Sequence, residues 1–188
     1  MAAIFEQGLP KSAANHVPLS PLTFIERSAS IYPDYPAIVH GSTRLTWGQT
    51  WARCRQLASA LQQRGIQPGQ TVAAMLPNSP AMFEAHFGVP LAGCVLNTLN
   101  IRLDAEAISY MLEHGEAKAI LVDPEFAEVI QQAVAKLPHK PLIIDVTDVE
   151  FLGETPSIGE VEYEALLQEG DADFAYQLPA DEWDAISL

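Results

Sequence analysis

The sequence predicts an α/β fold: an open, Rossmann-like, mostly parallel sheet with helices on both faces, incomplete at its C-terminal end. Three observations carry this. Short apolar runs, Thr71–Leu76, Lys118–Val122 and Leu142–Asp145, have the composition of strands buried on both faces. Helical patterns of roughly 10–15 residues separate such runs, the spacing of βαβ units. The closing stretch, Pro179–Leu188, stops as a strand begins, which leaves the groups of a sheet edge unpaired.

In chain order, residues 1–21 read as an extended arm, with Pro10, Pro18 and Pro21 and no periodicity. The rest, 22–188, reads as one unit. A helix over Leu22–Ile31 is ended by Pro33. Ala37–His40 and Arg44–Trp47 are strand-like around Gly41-Ser42, a hairpin pattern. Thr46 and Gln49 have the capping-box spacing, in which hydroxyl and amide satisfy otherwise free N–H groups. The helix they open puts Trp47, Trp51, Cys54, Ala58 and Leu61 on one face and Arg53, Arg55 and Arg64 on the other, and ends at Gly65. Pro68-Gly69 turns into the strand Thr71–Leu76. Ser79-Pro80 starts the next helix, proline fitting a position whose N–H has no partner anyway. Pro90 is expected to kink that helix or end it early. Val95–Asn97 is a short strand, and Asp104 caps a helix that closes at Gly115. After the strand Lys118–Val122, Asp123-Pro124 starts a helix that Pro138 stops. Leu142–Asp145 is another strand, residues 146–158 a loop, and Gly159–Gln168 a short acidic helix.

Composition narrows the function. With 48% hydrophobic and 18% charged residues, 188 residues suffice for a real core. The net charge of −14 is uneven: residues 1–100 hold six Lys/Arg against four Asp/Glu, residues 101–188 four against twenty. An acidic second half argues against nucleic acid and against an anionic membrane surface. Cys54 and Cys94 sit in apolar patterns without CxxC spacing, as buried thiols do. No basic stretch runs into an apolar one near Met1, and the apolar run Ala81–Leu96 is broken by Glu84, His86 and Pro90. A secretory signal and a membrane span are therefore not expected, and a cytoplasmic setting is.

Chemistry is sparse. There is no G-x-G-x-x-G, no G-x-x-x-x-G-K-[ST] and no G-x-S-x-G. The five histidines are scattered, without ligand spacing to one another. His86 interrupts an apolar helix, as a satisfied structural histidine or as a substrate contact. Asn97, Thr98, Asn100 and Arg102 follow a strand directly, where α/β proteins bind ligands. Asn and Thr in such a turn also bond their own backbone. The functional reading gives Arg102 and Asn100 a phosphate or pantetheine contact, with Arg102 as bidentate donor. Glu160, Glu162 and Glu164 read as a solvated helix face. The residues alone support an α/β domain with an unassigned strand-end loop.

Several stretches resemble, in order, the front half of the AMP-forming acyl-CoA synthetases. Tyr32-Pro33-Asp34-Tyr35-Pro36-Ala37-Ile38-Val39 resembles the family's opening strand and Arg44-Leu45-Thr46-Trp47-Gly48-Gln49-Thr50 its first core motif. Gly69-Gln70-Thr71-Val72-Ala73 and Leu76-Pro77-Asn78-Ser79 match a strand and the start of the following helix. His86 to Leu103 resembles the second core motif, in a form of the short-chain, medium-chain or aromatic-acid subgroup. The resemblance covers about residues 18–145 and the last ten. It implies that 22–188 is the first part of a large N-terminal domain. It also implies ATP, Mg²⁺ and CoA as cofactors of the parent enzyme, and a small carboxylic acid activated through an acyl-adenylate. Asp181-Glu182-Trp183-Asp184-Ala185-Ile186-Ser187-Leu188 matches the lead-in to the ATP phosphate loop, and the loop itself does not follow. No adenylation residue carries over to any position, so this chain alone is expected neither to catalyse nor to hold ATP, AMP or CoA tightly. Arg102 and Asn100 fall in the region the family uses on the CoA side. Exposed apolar surface makes self-association an expectation. The alternatives are a self-contained nucleotide- or CoA-binding module without catalysis, and an interaction domain using its acidic half.

Overall fold

A five-stranded parallel sheet, with a separate hairpin beside it, organises the computed structural model, which describes residues 7–188 except 9, 13, 152, 154 and 155. Part of the arm read over residues 1–21 lies outside the described residues. The elements are α1 (Leu22–Ile31), β1 (Pro36–His40), β2 (Thr43–Thr46), α2 (Trp47–Gln63), β3 (Thr71–Met75), α3 (Pro80–Leu91), β4 (Val95–Thr98), α4 (Ala105–His114), β5 (Ala117–Val122), α5 (Ala127–Val134), β6 (Leu142–Asp145), β7 (Val161–Glu162) and α6 (Tyr163–Glu169). β1 and β2 pair antiparallel. The sheet order is β4-β3-β5-β6-β7, every pair parallel. The α/β fold class stands.

Alternation along the strands builds two cores. Val72, Ala74, Leu76, Ala119 and Leu121 pack against α2, α3 and α6; Ala73, Met75, Ile120 and Val122 pack against α4 and α5. Successive side chains leave a strand on opposite faces, so runs covered on both sides must be apolar throughout. The caps follow the sequence reading. Gln49 N donates to Thr46 Oγ1 (3.2 Å) and Thr46 N to Gln49 Oε1 (2.9 Å). Asp104 Oδ1 accepts from Ala107 N (2.9 Å). The tail forms one parallel bridge beside β4: Leu96 N donates to Ile186 O (3.0 Å) and Leu188 N to Leu96 O (2.9 Å).

Four local expectations fail. α3 runs through Pro90 to Leu91, because Pro90 sits in the last turn and Ala92 N still reaches Gly88 O (3.2 Å). Asp123-Pro124 opens a single 3-10 turn, Pro124–Phe126, before α5 begins. α5 then ends at Val134, four residues ahead of Pro138. The segment read as a helix from Gly159 begins instead as the edge strand β7, and α6 starts only at Tyr163. The cause is Asp145: its carboxylate accepts from Ser157 Oγ (2.7 Å) and from the backbone N–H of Ile158 and Gly159. These bonds hold the chain extended beside β6.

Candidate functional site

The strand order places the chain reversal at β3. The connection through α3 leads to one neighbour, β4, and the connection through α4 returns to the other, β5. In open α/β sheets the crevice at the carboxyl ends of such a pair is where ligands bind. Here it is bordered by Leu76-Pro77-Asn78-Ser79 after β3 and Asp123-Pro124 after β5, tied by Asp123 N donating to Met75 O (3.1 Å). Asp123 is buried, and burial raises its carboxyl above the usual range.

The polar turn after β4 splits on folding. Asn97 is buried within the strand, its amide nitrogen 3.1 Å from where a side chain on Gly115 would begin. Asn100 and Arg102 are exposed. Asn100 Oδ1 accepts from Arg102 N (2.9 Å) and Asn100 O from Leu103 N (3.2 Å), so the Asn100 carbonyl groups shape the turn. The Arg102 guanidinium makes no ion pair among the described residues and faces solvent.

His86 lies elsewhere. α3 carries it into a hollow of about 560 Å³ between that helix and the β1–β2 hairpin, walled by Ile38, Val39, Met82, Phe83 and Phe87. The ring nitrogen Nδ1 lies 2.7 Å from Met82 O. A carbonyl oxygen only accepts, so Nδ1 carries the proton and Nε2 is left for other partners. The structure therefore does not bring His86 and the Asn100–Arg102 turn onto one element. His86 borders the hollow, and neither Asn100 nor Arg102 lines it.

Sequence reading missed a third constellation, centred two residues before His86 in α3. Glu84 is fully buried, and its carboxylate accepts from Arg53 Nε (2.6 Å), Arg53 NH2 (3.2 Å) and Tyr163 OH (2.7 Å). Arg53 also bonds Glu164 through both terminal nitrogens, at 2.9 and 2.6 Å. Glu164, expected on a solvated helix face, is exposed and also pairs with Arg53, so α2, α3 and α6 are cross-linked through this arginine. Burial raises the Glu84 carboxyl above the ordinary carboxylate range, and the Arg53 bond and charge pull the other way. Burial alone would lower Arg53, but its bonds to Glu164 and Glu84 outweigh it and hold the guanidinium charged. The pattern around Ala81–Leu91 held one signal, a lone carboxylate in a largely apolar helix, and charges so placed are paired.

Neither a phosphate cradle nor a metal centre can be assembled from these residues. The turn after β3, Leu76-Pro77-Asn78-Ser79, contains a proline and no glycine. Among the described residues no three His, Cys, Asp or Glu converge on a common point for an ion. No helix among the described residues is long and apolar enough to cross a membrane.

Comparison with known proteins agrees with this fold. A family model described as AMP-binding enzyme matches residues 25–186. The chain is 44% identical over 191 residues to an acetate/butyrate–CoA ligase of Arabidopsis thaliana described as peroxisomal, covering 96% of this chain and 34% of that protein. An acetate–CoA ligase of Humulus lupulus is 44% identical with the same coverage. A trans-cinnamate:CoA ligase of Petunia hybrida, also described as peroxisomal, is 39% identical over 96% of this chain. Thus the chain spans about a third of the length of these relatives. The crystal structure of an anthranilate CoA ligase in complex with anthranoyl-AMP superposes with a TM-score of 0.82, over 95% of this chain and 33% of that one. At 20% identity this likeness speaks to the fold.

Proposed function

The chain belongs to the AMP-binding enzyme family, and on that premise we propose that it is the N-terminal portion of an ATP-dependent, AMP-forming carboxylate–CoA ligase. The reaction would convert a small carboxylic acid, ATP and CoA to the acyl-CoA, AMP and pyrophosphate. The observation that carries this reading is 44% identity to acid–CoA ligases along nearly the whole chain. ATP, Mg²⁺ and CoA are the cofactors of the whole protein, and the segment 22–188 contributes the first part of its large N-terminal domain. Within this portion Arg102 and Asn100 are proposed CoA-side contacts, supported by an exposed guanidinium that makes no ion pair among the described residues, on a turn that Asn100 braces. His86 is a proposed contact for the acid, supported by its free Nε2 at an apolar hollow.

The test is product identity. The whole protein incubated with acid, ATP, Mg²⁺ and CoA should yield a thioester and AMP in equal amounts, and formation of ADP would overturn the reading. The 188-residue chain by itself should form neither. Arg102→Ala in the whole protein should raise the KM for CoA about tenfold and leave that for ATP unchanged, the loss of one charge-assisted contact. Self-association belongs to the same proposal, because Trp183 is 94% exposed and Leu188 66% exposed. Sedimentation of a single monomeric species across a concentration series would remove it. A cytoplasmic location is proposed as well, and punctate peroxisomal fluorescence of a tagged protein would replace it.

A further inference from the structure

The C-terminal tail leaves a second hollow beneath it. Along residues 174–178 burial alternates: Phe174, Tyr176 and Leu178 pack on the core, while Ala175 and Gln177 stay exposed. Tyr176 meets Trp51 edge to face at 5.3 Å, Glu182 Oε1 accepts from Leu19 N (2.7 Å), and Ile186 O accepts from Leu96 N (3.0 Å). Held at these points, the tail spans the C-terminal ends of α2 and α3 over a space of about 690 Å³. Ligand pockets span roughly 300–1,000 Å³. Pro68, Pro90 and Leu91 form one wall of this space, and Phe174, Leu178 and Ile186 the other. It lies at the amino ends of β3 and β4, the opposite end of the sheet from the crevice that Asn78 and Asp123 border.

Charge selects the occupant. Among the described residues no Lys, Arg or His lines the hollow, and Asp184, exposed at its mouth, is the one carboxylate that does. Asp184 Oδ2 accepts from Asp181 N (3.1 Å), and Oδ1 accepts no hydrogen bond among the described residues. Burial pushes the Cys94 thiol up to about 11 and the Tyr176 phenol up to about 12, so both lining groups stay neutral. Gln62 Nε2 is committed to Ala92 O (3.1 Å). An anion would be repelled by Asp184 and by the twenty acidic residues of the second half, and a cation is drawn by both. We propose that the hollow binds a small amphiphilic cation, an aryl or alkyl body carrying one primary ammonium. The body lies between the two apolar walls, and the ammonium donates to the Asp184 carboxylate. Such an occupant ties the tail to the ends of α2 and α3 and so steadies Ile186 beside Leu96. The site shares no residue with the proposed CoA and acid contacts and does not depend on the ligase reading.

The test uses the 188-residue chain, labelled for amide NMR and titrated with 3-phenylpropylamine, 3-phenylpropanol and 3-phenylpropanoate. The expected result is saturable shifts confined to the lining segments 68–69, 90–95, 174–180 and 184–186, with a dissociation constant for the amine on the order of 1 mM. The alcohol should bind about fivefold more weakly, and the acid more weakly still. Asp184→Asn should bring the amine to the affinity of the alcohol. Gln177→Lys sets a like charge on an exposed lining residue and should weaken the amine about fivefold while sparing the alcohol. Both positions are exposed, so neither substitution disturbs the core. Exchange of the Leu96 amide should slow at saturating amine. Equal affinity for amine and alcohol, affinities unchanged in both variants, or shifts outside the lining overturn the proposal. Leu96 exchange that stays unchanged at saturation overturns it too, because the ligand would then sit on the surface without holding the tail. So does perturbation of the lining by rising protein concentration alone, which would make a second copy the occupant.

Discussion

Among single residues, Glu84 and Arg53 carry the largest consequences. A carboxylate with no exposed surface tolerates its charge only while Arg53 and Tyr163 bond it. Arg53→Met leaves that charge uncompensated and should cost roughly 3–5 kcal/mol in urea unfolding. Glu84→Gln should cost less, because Arg53 keeps Glu164 and 21% of its side-chain surface remains in solvent. The double variant Arg53→Met/Glu84→Leu should recover much of the loss, and equal costs for the two single variants would contradict this account. The pH dependence has a definite sign. The folded Glu84 carboxyl lies above its ordinary value, burial being the largest cause. Its contribution is therefore fully present below the ordinary carboxyl value and lost as pH rises through the raised one. Melting temperatures of the native chain and Glu84→Gln should thus diverge in favour of the native chain as pH falls from neutral across that window. Convergence would mean that the Arg53 bond outweighs burial.

Between elements, close approach decides what the helices tolerate. α2 and α3 touch at Gly88, where an added Cβ would lie 2.7 Å from a Leu57 methyl and 3.0 Å from Cys54 O. Gly88→Ala gains about 1 kcal/mol of helix propensity and loses roughly 1–3 to overpacking, so a modest net destabilisation is expected. Gly170, just past α6, is tighter: a Cβ there would sit 2.0 Å from the backbone oxygen of Gln56. Backbone cannot swing aside as a leucine methyl can. Gly170→Ala should therefore lower the melting temperature more than Gly88→Ala, and the reverse order would refute that packing. At the start of α2, Thr46→Ala removes a capping box that is present in full and should cost about 1 kcal/mol. The periodicity of these helices is legible in the sequence because each buries a continuous stripe. Their mutual contacts are not, since Gly88 reads the same whether it faces a helix or water.

In the whole molecule, the sheet edge beside β4 is held by two hydrogen bonds to Leu96. Removing Asp184–Leu188 takes away the acceptor of the Leu96 amide and should speed its hydrogen exchange strongly, with Val72 and Ile120 in the sheet centre unchanged. Protection of Leu96 equal to that of Val72 in the shortened chain would show that the tail does not pair there. By itself the sequence determined the α/β class, most strands and helices, the helix caps at Thr46, Ser79 and Asp104, and the family. Those features rest on spacing and side-chain type along a few consecutive residues, and such information is local. Only the tertiary structure decided that Glu84 meets Arg53 and Tyr163, that Asp145 bends residues 157–159 into an edge strand, and that His86 and the Asn100–Arg102 turn lie apart. Each of these depends on partners between 12 and 79 residues distant or on the order in which parallel strands stack. Charge and pattern along the chain do not encode that order until the sheet exists.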